Sequence, residues 1–128
     1  NTNGCLALII LLDQFTRNIF RDSARAFSGD DMALALSLRC VDRRYLESAK
    51  APQCKFMLMP MMHSESLEIQ NTSLPLFKQF TENQTYRYAV QHRDIIARFG
   101  RFPHRNETLG RPSTDEEKIF LSEPGSSF

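Results

Sequence analysis

Tyr88, His92, Ile95, Ile96 and Phe99 repeat at helical spacing and then run into Gly100 and Pro103, and no other feature restricts the fold so tightly. Arg87, Gln91, Asp94 and Arg98 share the polar stripe beside them, so the spacing predicts an amphipathic helix over about Thr85 to Phe99. Glycine enters the left-handed conformation without a Cβ clash, which makes Gly100 the expected stop, and Pro103 prevents the helix from resuming. The loop that follows, Arg101 to Arg111, carries Arg101, His104, Arg105 and Arg111. Cations beside a helix C-terminus are favoured by the partial negative charge there and need do nothing else. Arginine clusters also build bidentate carboxylate and phosphate sites, so the sequence leaves both readings open.

The remaining segments are helical as well. Leu6 to Phe20 is apolar all round for two turns, which predicts burial, and then turns polar along Asp13, Arg17 and Arg21 at i, i+4, i+8 spacing. Those three read as an ion-pair ladder or as one face of a ligand site. Asp30 and Asp31 place negative charge on the first turn of a second helix that runs to about Tyr45. Pro52 suits the first turn of a third helix, and Pro60 within the methionine-rich run Met57 to Met62 predicts a kink or an end. Ser66 caps a fourth helix, which Pro75 is expected to break near Ser73. Ser113 and Glu116 make a capping box for a last helix, Thr114 to Leu121. With no alternating strand pattern, the expectation is an all-α fold of about six helices with antiparallel neighbours and no sheet.

At 128 residues the chain suits a single helical domain, 1–128. Its net charge of +1 excludes a strong global field, so nucleic acid is an unlikely partner and only Arg98 to Arg111 is locally basic. Cys5, Cys40 and Cys54 form an odd set in apolar contexts without metal-binding spacing, and are read as reduced. Leu6 to Leu12 is far shorter than the ~20 residues that span a bilayer, so a soluble, cytoplasmic protein is expected. The sequons at Asn71, Asn83 and Asn106 are then chance matches.

Several stretches carry a resemblance: Leu6 to Phe15, Arg17 to Arg21, Met62-His63-Ser64-Glu65, His92 to Asn106, Leu109-Gly110-Arg111, and the ending Pro124 to Phe128. Together they resemble a bacterial family known as domain-of-unknown-function family 924. The resemblance covers nearly the whole chain and implies an all-helical fold similar to tetratricopeptide-repeat proteins, with no established activity. Three departures stand out: Thr16 replaces a usual proline, Pro75 falls inside a usual helix, and the leading portion with its tryptophans is missing, so the chain would be the C-terminal two thirds of the family's domain. An array that lacks its leading helices exposes an apolar face, which predicts a homodimer through Leu6 to Leu12.

Chemistry is less legible. His92-Arg93-Asp94 matches a kinase catalytic-loop tripeptide, but it lies inside a helix and no glycine-rich phosphate loop precedes it, so the match is rejected. His92 on an apolar stripe reads as a hydrogen-bonded core residue. No histidine pair has zinc-helix spacing, so no metal or cofactor is expected. The candidate ligand face is Asp13, Arg17, Arg21, His63, Glu65, Arg98, Arg101, His104 and Arg105, suited to an acidic peptide or a small anion. The alternatives are a hydrolase-type enzyme, with His63 or His104 as base oriented by Glu65 or Asp94, and a purely structural assembly module.

Overall fold

The computed structural model describes residues 1–128, which are all-helical with no strand. Helix α1 is continuous through an α-helical segment, Thr2–Ile9, a π-helical segment, Ile10–Phe15, and a closing turn, Thr16–Ile19. The others are α2 (Asp30–Asp42), α3 (Ala51–Met62), α4 (Leu67–Phe80), α5 (Asn83–Phe99) and α6 (Asp115–Leu121). Short 3-10 turns at Ala24–Phe27, Tyr45–Ser48 and Pro103–Arg105 fill the connections. No helix is long and apolar enough to cross a membrane.

Helices adjacent in sequence pack on one another, α2 on α3, α3 on α4 and α4 on α5, while α1 lies across α2 and α3. Their shared core contains Ile9, Cys40, Met57, Leu58, Met61 and Phe77. Met57, Met61 and Met62 are therefore core filling, and the three cysteines are buried free thiols. A smaller cluster of Ile95, Ile96 and Phe102 seats the basic loop against the end of α5. Gly100 has φ +73° and closes α5, as its position predicts. Gly29 is needed for a different reason: a Cβ there would lie 2.4 Å from the Leu12 carbonyl oxygen, so the start of α2 could not approach α1.

Four local expectations are corrected. Pro60 does not end α3, which continues to Met62, because it is buried among Met57, Leu58, Met61 and Met62 and their packing outweighs one lost hydrogen bond. Helix α4 runs through Pro75 without a break; the carbonyl it frees belongs to Asn71, which is exposed to water. The capping box is Thr114 with Glu117, one residue later than expected. Finally, α1 buries only one side of its apolar run: Cys5 and Ile9 enter the core, whereas Leu8 and Leu11 stay about half exposed.

Candidate functional site

The π-helical segment of α1 widens the turn that holds Asp13, and the carboxylate ends up almost fully buried. Its Oδ1 lies 2.8 Å from Nδ1 of His63, the residue that closes α3, and 3.2 Å from Nη1 of Arg17 one turn on. Arg17 in turn makes two hydrogen bonds to Asp30 at the start of α2, at 2.7 and 3.0 Å. The expected ladder along Asp13, Arg17 and Arg21 is thus half realised. Asp13 and Arg17 tie three helices together, while Arg21 forms no ion pair.

In front of His63 lies a cavity of about 640 Å3, lined by Arg17, Arg21, His63, His92, His104 and Arg105, with Phe27 and Phe128 on its apolar side. His92 donates from Nδ1 to the Tyr88 carbonyl at 2.7 Å, and its ring stacks on Phe128 with centroids 3.8 Å apart. The His63 and His92 ring centroids are 6.3 Å apart. The turn Pro103–Arg105 brings in the other two groups. His104 keeps a buried Nδ1 without a hydrogen-bond partner.

Arg105 is the most unusual of these residues. It is 93% buried, being 7% exposed, its guanidinium lies over the rings of Phe27 and Phe102 at 4.6 and 4.7 Å, and no carboxylate is within ion-pair distance. Its Nη2 donates to the His63 carbonyl at 2.9 Å, while its buried Nε has no partner. Burial, and then the charge of Arg17, lower its pKa to about 10.

The same physics sets the histidines. Burial lowers His92 and His104 to about 4, with Arg105 adding to the effect on both. Burial also lowers His63, aided by Arg17 and Arg105 against the opposing pull of Asp13. For Asp13, burial alone would raise the pKa, but the His63 hydrogen bond and the charge of Arg17 win, leaving it below the ordinary carboxylate value. At neutral pH the pair is therefore an aspartate beside a neutral imidazole.

The other predicted residues lie elsewhere. Glu65 grips Arg111 through both oxygens, at 2.9 and 3.2 Å, and accepts from the Phe102 N–H at 2.6 Å; it faces a neighbouring cavity of about 270 Å3. Arg101 is held by Glu117 at 2.7 and 2.9 Å and donates to the Pro112 carbonyl. Arg98 pairs with Glu116 at 3.2 Å. Neither Arg98 nor Arg101 lines the larger cavity. Asp94 is exposed and pairs with Arg93, so neither it nor Glu65 orients His63; Asp13 does.

No group of three or more His, Cys, Asp or Glu side chains is arranged to hold a metal ion. Two residues at the cavity escaped the sequence reading as site residues. His92 is the core histidine expected of its stripe, yet it also faces the cavity, and Phe128 lies in a tail without any local pattern to mark it. Gln14 and Asn18, on the polar side of α1 beside Asp13 and Arg17, line it too.

The comparisons with known proteins agree with this architecture. A family model described as a bacterial protein of unknown function, DUF924, matches residues 1–125. The chain belongs to the DUF924 family. Its fold is similar to the structure of a protein of unknown function from Agrobacterium tumefaciens, with a TM-score of 0.90 and 35% sequence identity over 94% of this chain and 68% of that one. No curated protein matches the chain. DUF924 membership thus supplies a fold without an activity, and the site has to be read from its own chemistry.

Proposed function

We propose that this DUF924 protein binds a small oxyanion, a phosphate or a carboxylate, in the cavity enclosed by α1, the end of α3, α5 and the Pro103–Arg105 turn. The observation that carries this is Arg105, a buried guanidinium with no carboxylate within ion-pair distance. An isolated buried charge costs several kcal/mol, and a charged ligand oxygen would supply the missing partner through a charge-assisted hydrogen bond. Arg21, also without an ion pair, stands at the same cavity and adds attraction. Pairing of α2 with α3, α3 with α4 and α4 with α5 supports a repeat-like scaffold that holds these groups from three directions. Millimolar inorganic phosphate or citrate should raise the melting temperature of the wild type and leave an Arg105→Met variant unmoved. Equal shifts in both proteins, or none in either, would remove the reading.

A hydrolase-type reading draws on the Asp13–His63 pair, in which a buried carboxylate fixes the imidazole as it would a general base. Slow turnover of p-nitrophenyl phosphate that vanishes in His63→Gln supports it, and turnover that survives the substitution counts against it.

Self-association is a further proposal, resting on an apolar stripe along the outer side of α1: Leu8, Leu11, Phe15 and Ile19 are 48, 50, 50 and 70% exposed. A second copy of the chain laid against this stripe would cover it. Light scattering at micromolar concentration should then give a dimer mass that falls to the monomer in Leu11→Glu/Ile19→Glu, and a monomeric wild type would contradict it.

A further inference from the structure

His63 and His92 each have one ring nitrogen committed and one left over, and the committed partner decides what the other can do. Asp13, ionised beside Arg17, only accepts hydrogen bonds, so His63 Nδ1 must carry the proton. The Tyr88 carbonyl also only accepts, so His92 Nδ1 must carry its proton too. Neutral imidazole has a single N–H. Each Nε2 is therefore a bare lone pair, neither has a protein partner, and both rings line the same cavity.

A carboxylate, or a phosphate ester once fully ionised, has only lone pairs to offer. It satisfies Arg105 and Arg21 but would set oxygen against nitrogen at the histidines, where both groups are acceptors. What these acceptors require is a donor on the same molecule. We infer that the ligand carries a hydroxyl a few bonds from its oxyanion, with the oxyanion on Arg105 and the hydroxyl donating to His63 Nε2. This rests on the oxyanion reading above and narrows it to hydroxylated phosphates or hydroxy acids.

Of the two acceptors His63 is the stronger, since the Asp13 carboxylate behind it pushes electron density toward Nε2 more than a backbone carbonyl does. Its backbone is also tied to the anchor, because Arg105 Nη2 donates to the His63 carbonyl at 2.9 Å.

Calorimetric titration with two matched pairs tests this, glycerol 3-phosphate against propyl phosphate and glycolate against acetate. At least one hydroxylated probe should bind wild type about tenfold more tightly than its deoxy partner, as expected for one well-made hydrogen bond to a polarised acceptor. The pair that shows the preference tells phosphate from carboxylate. In His63→Gln the preference should shrink to within about twofold, and Asp13→Asn, which keeps the shape, should reduce it as well. Equal binding within both pairs by wild type overturns the hydroxyl inference and leaves the oxyanion reading standing. Binding of no probe overturns both. A preference that persists in His63→Gln overturns the assignment to His63. The wild-type comparison stands whether or not the variants fold.

Discussion

Arg101 and Arg105 sit four residues apart in one basic loop, and their surroundings differ in kind. Arg101 closes on Glu117, which also accepts from the Thr114 N–H, while Arg111 closes on Glu65, which also holds the Phe102 N–H. Each of these charges is matched, and the pairs staple the loop to α6 and to the end of α3. Arg105 points the other way, toward the cavity, against aromatic rings and beside Arg17, with Glu65 and Asp30 near enough to oppose the lowering of its pKa but outside ion-pair distance. Matched charges hold the loop in place; an unmatched one held by the same loop is what a ligand would meet. Partner and burial, more than residue type, thus decide what each arginine of such a segment does.

Acid should separate the two regions with the largest effect. His92 and His104 titrate near 4 in the folded chain, below the ordinary histidine value of 6.5, so unfolding takes up protons as pH falls. Their contribution is complete above about pH 6.5 and is lost toward pH 4. Glu117 titrates at about 2, chiefly because of the Arg101 hydrogen bonds, so the staple stays ionised across that window. Denaturant unfolding should show stability dropping on the order of 4 kcal/mol between pH 7 and 4. A flat profile would mean that the cavity histidines are not buried as described.

Breaking the staple comes next. Glu117→Ala strands Arg101, the Thr114 N–H and the amide of Asn106, and should cost about 3 kcal/mol of unfolding free energy. Arg105→Met removes an unmatched charge and keeps most of the bulk against Phe27 and Phe102, so stability should stay within about 1 kcal/mol of wild type while oxyanion binding disappears. A loss as large as that of Glu117→Ala would place Arg105 with the staple and erase the contrast. Smallest of all, Arg98→Ala breaks an exposed pair and should change stability by less than about 0.5 kcal/mol.

Much of this was legible in the residues, but unevenly. Helix α5 with its Gly100 stop follows directly from local periodicity, and so does the choice of His63, Arg105 and Arg17 as candidates by type. What spacing could not reveal is the pairing. Asp13 and His63 are 50 residues apart, and nothing local distinguishes Asp13 from Glu65 or Asp94 as the group behind the imidazole. Local rules also failed at Pro60 and Pro75, where burial in one case and water in the other compensate for the missing N–H. Arg98 and Arg101 look the same as Arg105 in sequence, and only the positions of Glu116 and Glu117 set them apart.

The claim that Arg105 alone among the arginines of its loop awaits a partner is tested most directly by following the guanidinium Nε–H resonances of Arg101 and Arg105 by NMR during a phosphate titration. The Arg105 signal should shift in a saturable way while the Arg101 signal, locked to Glu117, stays in place. A stationary Arg105 signal, or equal movement of both, would contradict the account.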